Sequence, residues 1–217
     1  MVRNPQQQSG ESCLFNLVPW IIISLVLISV VVGVVASTWA LPGEVLYPLK
    51  RLTEDTRLNL TRVPSQRIEL EEEFDQERLD ELEILRERSR SELVDFSAGL
   101  SQAKPDGDWL VGNIRVLVTP ETQIVGQVNL GTYVTVLGTL QSEGNIIAQR
   151  IEPREFVFRD RLHSIVSNQW LVDGVTISIA PETAIHGTPA IGSTVEVRAV
   201  KLLDEQLLAR SIEEIQP

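Results

Sequence analysis

The chain has 217 residues, enough for one large domain or two to three small ones, and its formal net charge is −11. Because binding a polyanion requires concentrated lysine and arginine, this acidic balance argues against a nucleic-acid partner. A single cysteine excludes an intramolecular disulfide and a cysteine-based zinc cluster, and with His163 and His186 as the only histidines we expect no metal site and no cofactor.

The first element in chain order is a long apolar run. Residues 12–43 contain no charged side chain. A membrane span needs about 20 apolar residues, so residues 17–40 are predicted to form one transmembrane helix behind a short tail, residues 1–16. Trp20 and Trp39 lie near the two ends of the run, where indole rings favour the membrane interface. The sequence therefore predicts a single-pass protein with the lipid bilayer as a partner.

The same run has a second interpretation. Thr38-Trp39-Ala40 fits a small-x-small cleavage site, so a signal peptide removed near Ala40 and a secreted product are the alternative. The run is longer than the roughly 7–15 apolar residues of a signal peptide, which favours the anchor. Lysine and arginine are denser just after the run than before it, and a positive-inside count alone therefore favours a cytoplasmic C-terminus.

Residues 41–92 change to helical spacing and are predicted to form an acidic helical hairpin. Pro64 is well placed to open the second helix, which is expected to run from about residue 65 to 90. The acidic run at residues 69–77 is interpreted as a solvated helix face, because calcium loops interleave their carboxylates with glycine in a non-helical turn. Within the hairpin we expect a structural ion-pair network of Lys50, Glu54, Arg78 and Glu81.

Two stretches of this region carry a recognisable motif. Residues 41–55 read LPGEVLYPLKRLTED, and residues 76–85 read QERLDELEIL. Together they resemble an uncharacterised bacterial helical domain that typically follows a membrane segment. Members of that family often lie in the extracytoplasmic part of anti-sigma-factor-like proteins, so the resemblance implies a cell-membrane protein with its C-terminal domains outside the cytoplasm. The 16 residues before the apolar run are too few for a folded sigma-binding domain, and here the chain departs from that arrangement.

An internal repeat fills the rest of the chain. Residues 109–152 align without gaps on residues 170–213, an offset of 61, and 14 of the 44 positions are identical. A period near 60 suits a small domain better than a solenoid repeat. Each copy alternates apolar and polar residues between turn signals, which predicts about five short strands. The predicted domains are residues 93–155 and 156–217.

Five short strands in about 60 residues suit a small closed barrel, which removes exposed sheet edges. The motif order T-x-I, G-x-x-V-x-V, A-x-x-I resembles a second uncharacterised bacterial family, of small OB-like extracytoplasmic domains, and this resemblance implies a fold rather than an activity. Trp109 and Trp170 recur at the same repeat position and are expected to fill the barrel cores, although they could instead stack on a ligand. Tyr133 has no aromatic counterpart in the second copy and is the candidate surface contact.

The predicted fold class is therefore a multidomain α+β protein with one transmembrane helix, a helical hairpin and two tandem OB-like barrels. No nucleophile elbow, phosphate loop or zinc-protease helix occurs in the sequence, so we expect no enzyme activity. The leading hypothesis is a membrane-anchored extracytoplasmic interaction or sensory protein that binds a protein or an envelope ligand. The alternatives are a structural envelope protein whose barrels self-associate and a regulator related to anti-sigma-factor-like proteins.

Overall fold

The computed structural model describes residues 12–215, and it describes side chains from Pro19 onward. Residues 1–11, most of the predicted N-terminal tail, lie outside the described residues. The chain divides into two compact units. The first comprises the chain up to Ala40 together with residues 44–53, and the second comprises residues 41–43 and 54–217.

Helix α1, Ser12–Ser37, forms most of the first unit. It begins earlier than the predicted Leu17 and ends before Ala40, because residues 38–39 form a turn in which the Ala40 amide donates to the Ser37 carbonyl at 3.0 Å. Its stretch Pro19–Ser37 has a mean hydropathy of 2.7 and is 6% buried. A helix satisfies its own backbone polar groups and can therefore lie in a bilayer. By length and composition this stretch could be a membrane span or a signal sequence.

Two further helices follow, α2 at Tyr47–Leu60 and α3 at Pro64–Glu87. Pro64 opens α3 after an extended residue, because proline lacks the amide that the first helical turn cannot pair anyway. At the other end Ser89 takes a left-handed φ of 50°, and the Arg90 amide donates to the Leu85 carbonyl at 3.1 Å. This closure is the Schellman pattern, which turns the chain from the helix into the first strand.

Two six-stranded sheets form the rest of the second unit, as the repeat predicts. We call them barrel 1 and barrel 2. The strands of barrel 1 are β1 Leu93–Ala103, β2 Asp108–Val111, β3 Ile114–Leu117, β4 Gln123–Ile124, β5 Tyr133–Leu140 and β6 Ile146–Pro153. The strands of barrel 2 are β7 Glu155–Val166, β8 Gln169–Val172, β9 Val175–Ser178, β10 Ala184–His186, β11 Thr194–Lys201 and β12 Leu207–Glu214.

Each sheet closes on itself. In barrel 1 the order β3-β2-β1-β5-β6 returns from β6 to β3 through a parallel pairing, and in barrel 2 the order β9-β8-β7-β11-β12 returns from β12 to β9 in the same way. Five strands with this connectivity make an OB-like barrel, so the predicted fold class is confirmed. The sixth strand of each sheet, β4 or β10, is a two- or three-residue addition beside β6 or β12 that the predicted count of about five strands does not include.

The repeated Pro-Glu-Thr motif ties this additional strand to the barrel. The Thr122 hydroxyl accepts the Thr119 amide at 2.9 Å and donates to the Ala148 carbonyl at 2.7 Å. In barrel 2 the Thr183 hydroxyl makes the same two bonds, to Ala180 at 3.0 Å and to Ala209 at 2.7 Å. The identical residues of the repeat therefore include a hydrogen-bonded lock between the turn and the last strand.

Helix α3 packs on both barrel cores. Leu82 and Leu85 are 2% and 0% exposed within the core of barrel 1, and Leu79 packs against that core. Nearer the start of the helix, Ile68 packs against the core of barrel 2. The amphipathic pattern of α3 is thus divided along its length, with each part covering a different barrel.

Candidate functional site

The two barrels are joined through one residue, Arg154, which separates β6 from β7. Its guanidinium donates from Nε to Asp75 Oδ2 at 2.7 Å and from Nη2 to Glu71 Oε2 at 3.1 Å, both on α3. The guanidinium also lies over the Phe156 ring, 4.7 Å from its centroid. Burial lowers the pKa of Arg154, but Asp75 and Glu71 outweigh it, and the net shift is upward. The linker between the barrels is therefore fixed to the helix by a charged joint.

This joint belongs to a longer chain of alternating charges. Asp75 Oδ1 also accepts a hydrogen bond from Arg78 Nη1 at 3.1 Å, and Arg78 Nη2 lies 3.2 Å from Glu54 Oε2 in the middle of α2. At the other side Arg67 Nε donates to Glu71 Oε1 at 3.1 Å. The series runs through Glu54, Arg78, Asp75, Arg154, Glu71 and Arg67. It connects α2, α3 and the linker in one network.

The acidic run of α3 is consequently not a solvated face along its whole length, and that part of the sequence interpretation is wrong. The side chains of Glu71 and Asp75 are only 12% exposed, although Glu69 and Glu73 are exposed. A charge this far from water requires a partner. The partner that these two carboxylates share, Arg154, is 79 and 83 residues away in the sequence, so no local pattern relates it to them.

A second joint lies where barrel 2 meets α3 and barrel 1. Lys201, 8% exposed, lies 3.0 Å from Glu72 Oε1 and also pairs with Glu205. The Tyr133 hydroxyl of barrel 1 donates to Glu205 Oε1 at 3.0 Å, and Lys201 Nζ lies 5.2 Å from the Tyr133 ring centroid. Lys201 and Tyr133 lower the pKa of Glu205 through hydrogen bonds, whereas desolvation opposes that shift. Desolvation raises the pKa of Tyr133, and its bond to Glu205 adds to the rise.

An open cleft of about 360 Å³ lies between α3, barrel 1 and the start of β7. Its walls include the paired charges of the Arg154 joint and two hydroxyls of barrel 1, Ser97 Oγ and Thr135 Oγ1, which lie 3.0 Å apart. The charged groups that line it bond chiefly to one another, an arrangement that suits a structural joint. Within residues 12–215, no group of three or more His, Cys, Asp or Glu side chains could hold a metal ion.

The structure places the other predicted site residues as follows. Trp170 is 8% exposed in the core of barrel 2, and Trp109 is partly buried against the core of barrel 1. Trp20 and Trp39 are 70% and 85% exposed in the first unit.

Of the predicted ion-pair network, the structure brings Glu54 and Arg78 together. Lys50, buried, belongs to the first unit and Glu81, also buried, to the second. Sequence reasoning missed Arg154, Glu71, Asp75, Lys201 and Glu205 as members of the joints. The only local signal was the acidic run of α3, whose density exceeds what the nearby arginines offset.

Comparison with known families accounts for most of the chain. Residues 39–99 match the family model described as a domain of unknown function, DUF5667. Residues 100–152 and 161–213 match the model described as a domain of unknown function, DUF5666. The chain carries a DUF5667 domain followed by a two-part DUF5666 domain. The DUF5667 match covers α2 and α3 and extends into β1, and the two DUF5666 segments lie in barrels 1 and 2.

No curated protein matches the chain. Among solved structures, "drosophila Unr CSD456" is similar over 56% of this chain, with 14% sequence identity and a TM-score of 0.23. The match spans 63% of that solved chain, less than two thirds of its length.

Proposed function

We propose that the protein is a membrane-anchored, non-catalytic binding module that presents two OB-like barrels as one body on the extracytoplasmic side of the cell membrane, where they bind a protein or an envelope ligand. The observation that carries the proposal is the double attachment of the barrels to α3, through Arg154 and through Lys201. Two barrels held in fixed register offer a ligand a preorganised surface, which lowers the entropy lost on binding.

The membrane attachment is supported by Pro19–Ser37, which is long and apolar enough to span and is 6% buried. The extracytoplasmic side is supported by the resemblance of residues 41–55 and 76–85 to a domain that follows membrane segments. The test is protease treatment of intact cells, with lysed cells as the control. We expect the barrels to be digested from outside and the uncleaved chain to require detergent for extraction. A water-soluble product that begins at Leu41 would instead establish the cleaved signal peptide.

Binding is tested by the thermal unfolding of the full chain in detergent with envelope glycan fragments and peptides as probes. At about 100 times the Kd a ligand stabilises the folded state by about 2.7 kcal/mol, so the Tm rises by roughly 5–11 °C. The Arg154→Met variant, with a loosened joint, is expected to show a smaller rise, and Arg150→Met is the matched control. No rise with any probe, together with stable self-association, would favour a structural envelope protein instead.

A further inference from the structure

The β11–β12 turn of barrel 2 docks on barrel 1, and outside this turn Arg210 Nη2 of β12 donates to the Gln127 carbonyl of barrel 1. We call the β11–β12 turn, residues 202–206, the plug, and we call Gly99 with residues 131–133 of barrel 1 the socket. The Leu203 amide donates to the Gly131 carbonyl at 3.0 Å, and Thr132 and Leu202 form an isolated antiparallel bridge. This backbone pairing fixes the position of the plug on the barrel 1 surface.

Two side chains of the plug complete the contact. Leu203 occupies the space beside Gly99, where an added Cβ would lie 2.1 Å from Leu203 Cδ2 and 3.6 Å from Tyr133 Cε2. A Cβ at residue 99 would displace the Leu203 side chain, which is 48% exposed, so glycine at this position lets Leu203 lie directly against the barrel 1 surface. Glu205 then accepts the Tyr133 hydroxyl at 3.0 Å.

The corresponding face of barrel 2 lacks these features. In barrel 1, Gly99 of β1 pairs with Tyr133 of β5. At the equivalent place in barrel 2, Arg161 of β7 pairs with Thr194 of β11. Barrel 2 therefore has a long exposed side chain where barrel 1 has an open slot, and it has no phenol to bind a glutamate.

The corresponding turn of barrel 1 lacks the plug. At the repeat offset of 61, Ser142 stands where barrel 2 has Leu203, and Gly144 stands where barrel 2 has Glu205. Gly144 has a φ of 85° and Glu205 has a φ of 68°, so the two turns share a backbone shape that glycine adopts more easily. Barrel 2 carries the strained residue because its carboxylate makes the contact with barrel 1.

We propose that the two copies have diverged into a one-way pair in which barrel 1 only accepts a plug and barrel 2 only donates one. A heterologous contact between identical barrels would continue from chain to chain into a ring or an open filament. Here the plug of barrel 2 lies in the socket of the same chain. The equivalent surface of barrel 2 carries Arg161 in place of Gly99 and accepts no plug. The contact therefore joins only the two barrels of one chain, and no further chain is added through this surface. The proposal stands independently of what ligand the protein binds.

The test measures the distance between two spin labels in the full chain in detergent. The labels are attached through Glu121→Cys and Glu182→Cys, at exposed residues in the same repeat position, and Cys13→Ser removes the native thiol. We expect one narrow distance in the parent chain and a broad distribution in Gly99→Arg, which gives barrel 1 the residue of barrel 2. Arg154 still ties the linker to α3 in that variant, so the barrels stay close but lose their fixed register. The mirror variant Arg161→Gly is the matched control and retains the narrow distance. A narrow distance in Gly99→Arg, or its loss in Arg161→Gly, would overturn the proposal.

A second variant covers the case in which Gly99→Arg does not fold. The double change Leu203→Ser with Glu205→Gly gives barrel 2 the turn of barrel 1 and relieves the left-handed backbone, so barrel 2 itself is not strained. It is expected to lose the narrow distance while circular dichroism stays unchanged. In sedimentation, the mass of the parent chain should not increase with concentration. An increase that Leu203→Ser with Glu205→Gly abolishes would show that the plug links separate chains and would refute the one-way pair.

Discussion

Replacing Arg154 by methionine removes the cation shared by Glu71 and Asp75 while it keeps an unbranched side chain over Phe156. The side chain of Arg154 is 17% exposed and those of the two carboxylates are each 12% exposed, so the variant leaves two carboxylates without their common partner in a poorly hydrated place. Removing one member of a buried ion pair costs about 3–5 kcal/mol. Since these groups retain some contact with water and keep Arg67 and Arg78 as partners, we expect a loss at the lower end, about 3 kcal/mol, which includes the cation–π contact with Phe156.

The assay is urea and thermal unfolding of the full chain in detergent, followed by circular dichroism. For a body of this size, a loss of about 3 kcal/mol lowers the Tm by roughly 6–12 °C. The matched control is Arg150→Met in β6. The Arg150 side chain is 45% exposed, and that of its partner Glu152 is 36% exposed. An exposed pair contributes about 1 kcal/mol or less, so this control should unfold close to the parent chain.

A double-mutant cycle separates the joint from general packing. Adding Asp75→Asn to Arg154→Met removes one of the two carboxylates that have lost Arg154, and Asp75→Asn should therefore cost less free energy of unfolding there than it does in the parent chain. If the free energies of unfolding of Arg154→Met and Arg150→Met differ by less than about 1 kcal/mol, the Arg154 joint does not stabilise the two barrels and the reasoning from burial fails.

Three further outcomes follow from the same contacts. Leu85→Ala empties a fully buried position at the end of α3 and should cost about 2–5 kcal/mol in urea unfolding; a loss under about 1 kcal/mol would mean that α3 is not part of the barrel 1 core. Thr183→Val breaks the turn lock of barrel 2 and should cost about 1–3 kcal/mol, whereas the exposed Thr176→Val should be near neutral. The pKa of Glu205 is lowered from 4.5, so its ionised carboxylate stabilises the contact between the barrels above pH 4.5. This stabilisation is lost as the pH falls through the lowered pKa, and the distribution of label distances should therefore broaden only in acid. Broadening already at neutral pH would contradict that assignment.

The barrels could be predicted from the sequence because their signals are local and repeated. In β5, and in the first half of β11, buried residues alternate with half-buried ones, and the repeat doubles the observation. Strand β4 could not be found in this way. It has only two residues, both exposed, and it owes its pairing with β6 to the Thr122 lock rather than to an apolar pattern.

The joints could not be predicted for a different reason. An arginine between two strands reads as an ordinary linker residue, and the glutamates of α3 read as solvent-facing, because nothing in the local pattern relates the two. Arg154 and Asp75 are 79 residues apart, and only the closed barrels bring them together. Tyr133 shows the same limit. Its lack of an aromatic counterpart marked it as a contact residue, but the partner, Glu205, lies in the second copy of the repeat.

The differences between the two copies therefore carry more information about this protein than their identities do. Positions shared by both copies, such as Thr122 and Thr183, maintain each barrel separately, since each makes its bonds within its own copy. Positions that differ, such as Gly99 against Arg161 and Gly144 against Glu205, lie at the contact between the copies or at its unused equivalent. A left-handed glutamate is costly in an isolated turn and is retained where its carboxylate meets Tyr133 and Lys201. The pair of barrels, rather than either barrel alone, is thus the unit that the sequence specifies.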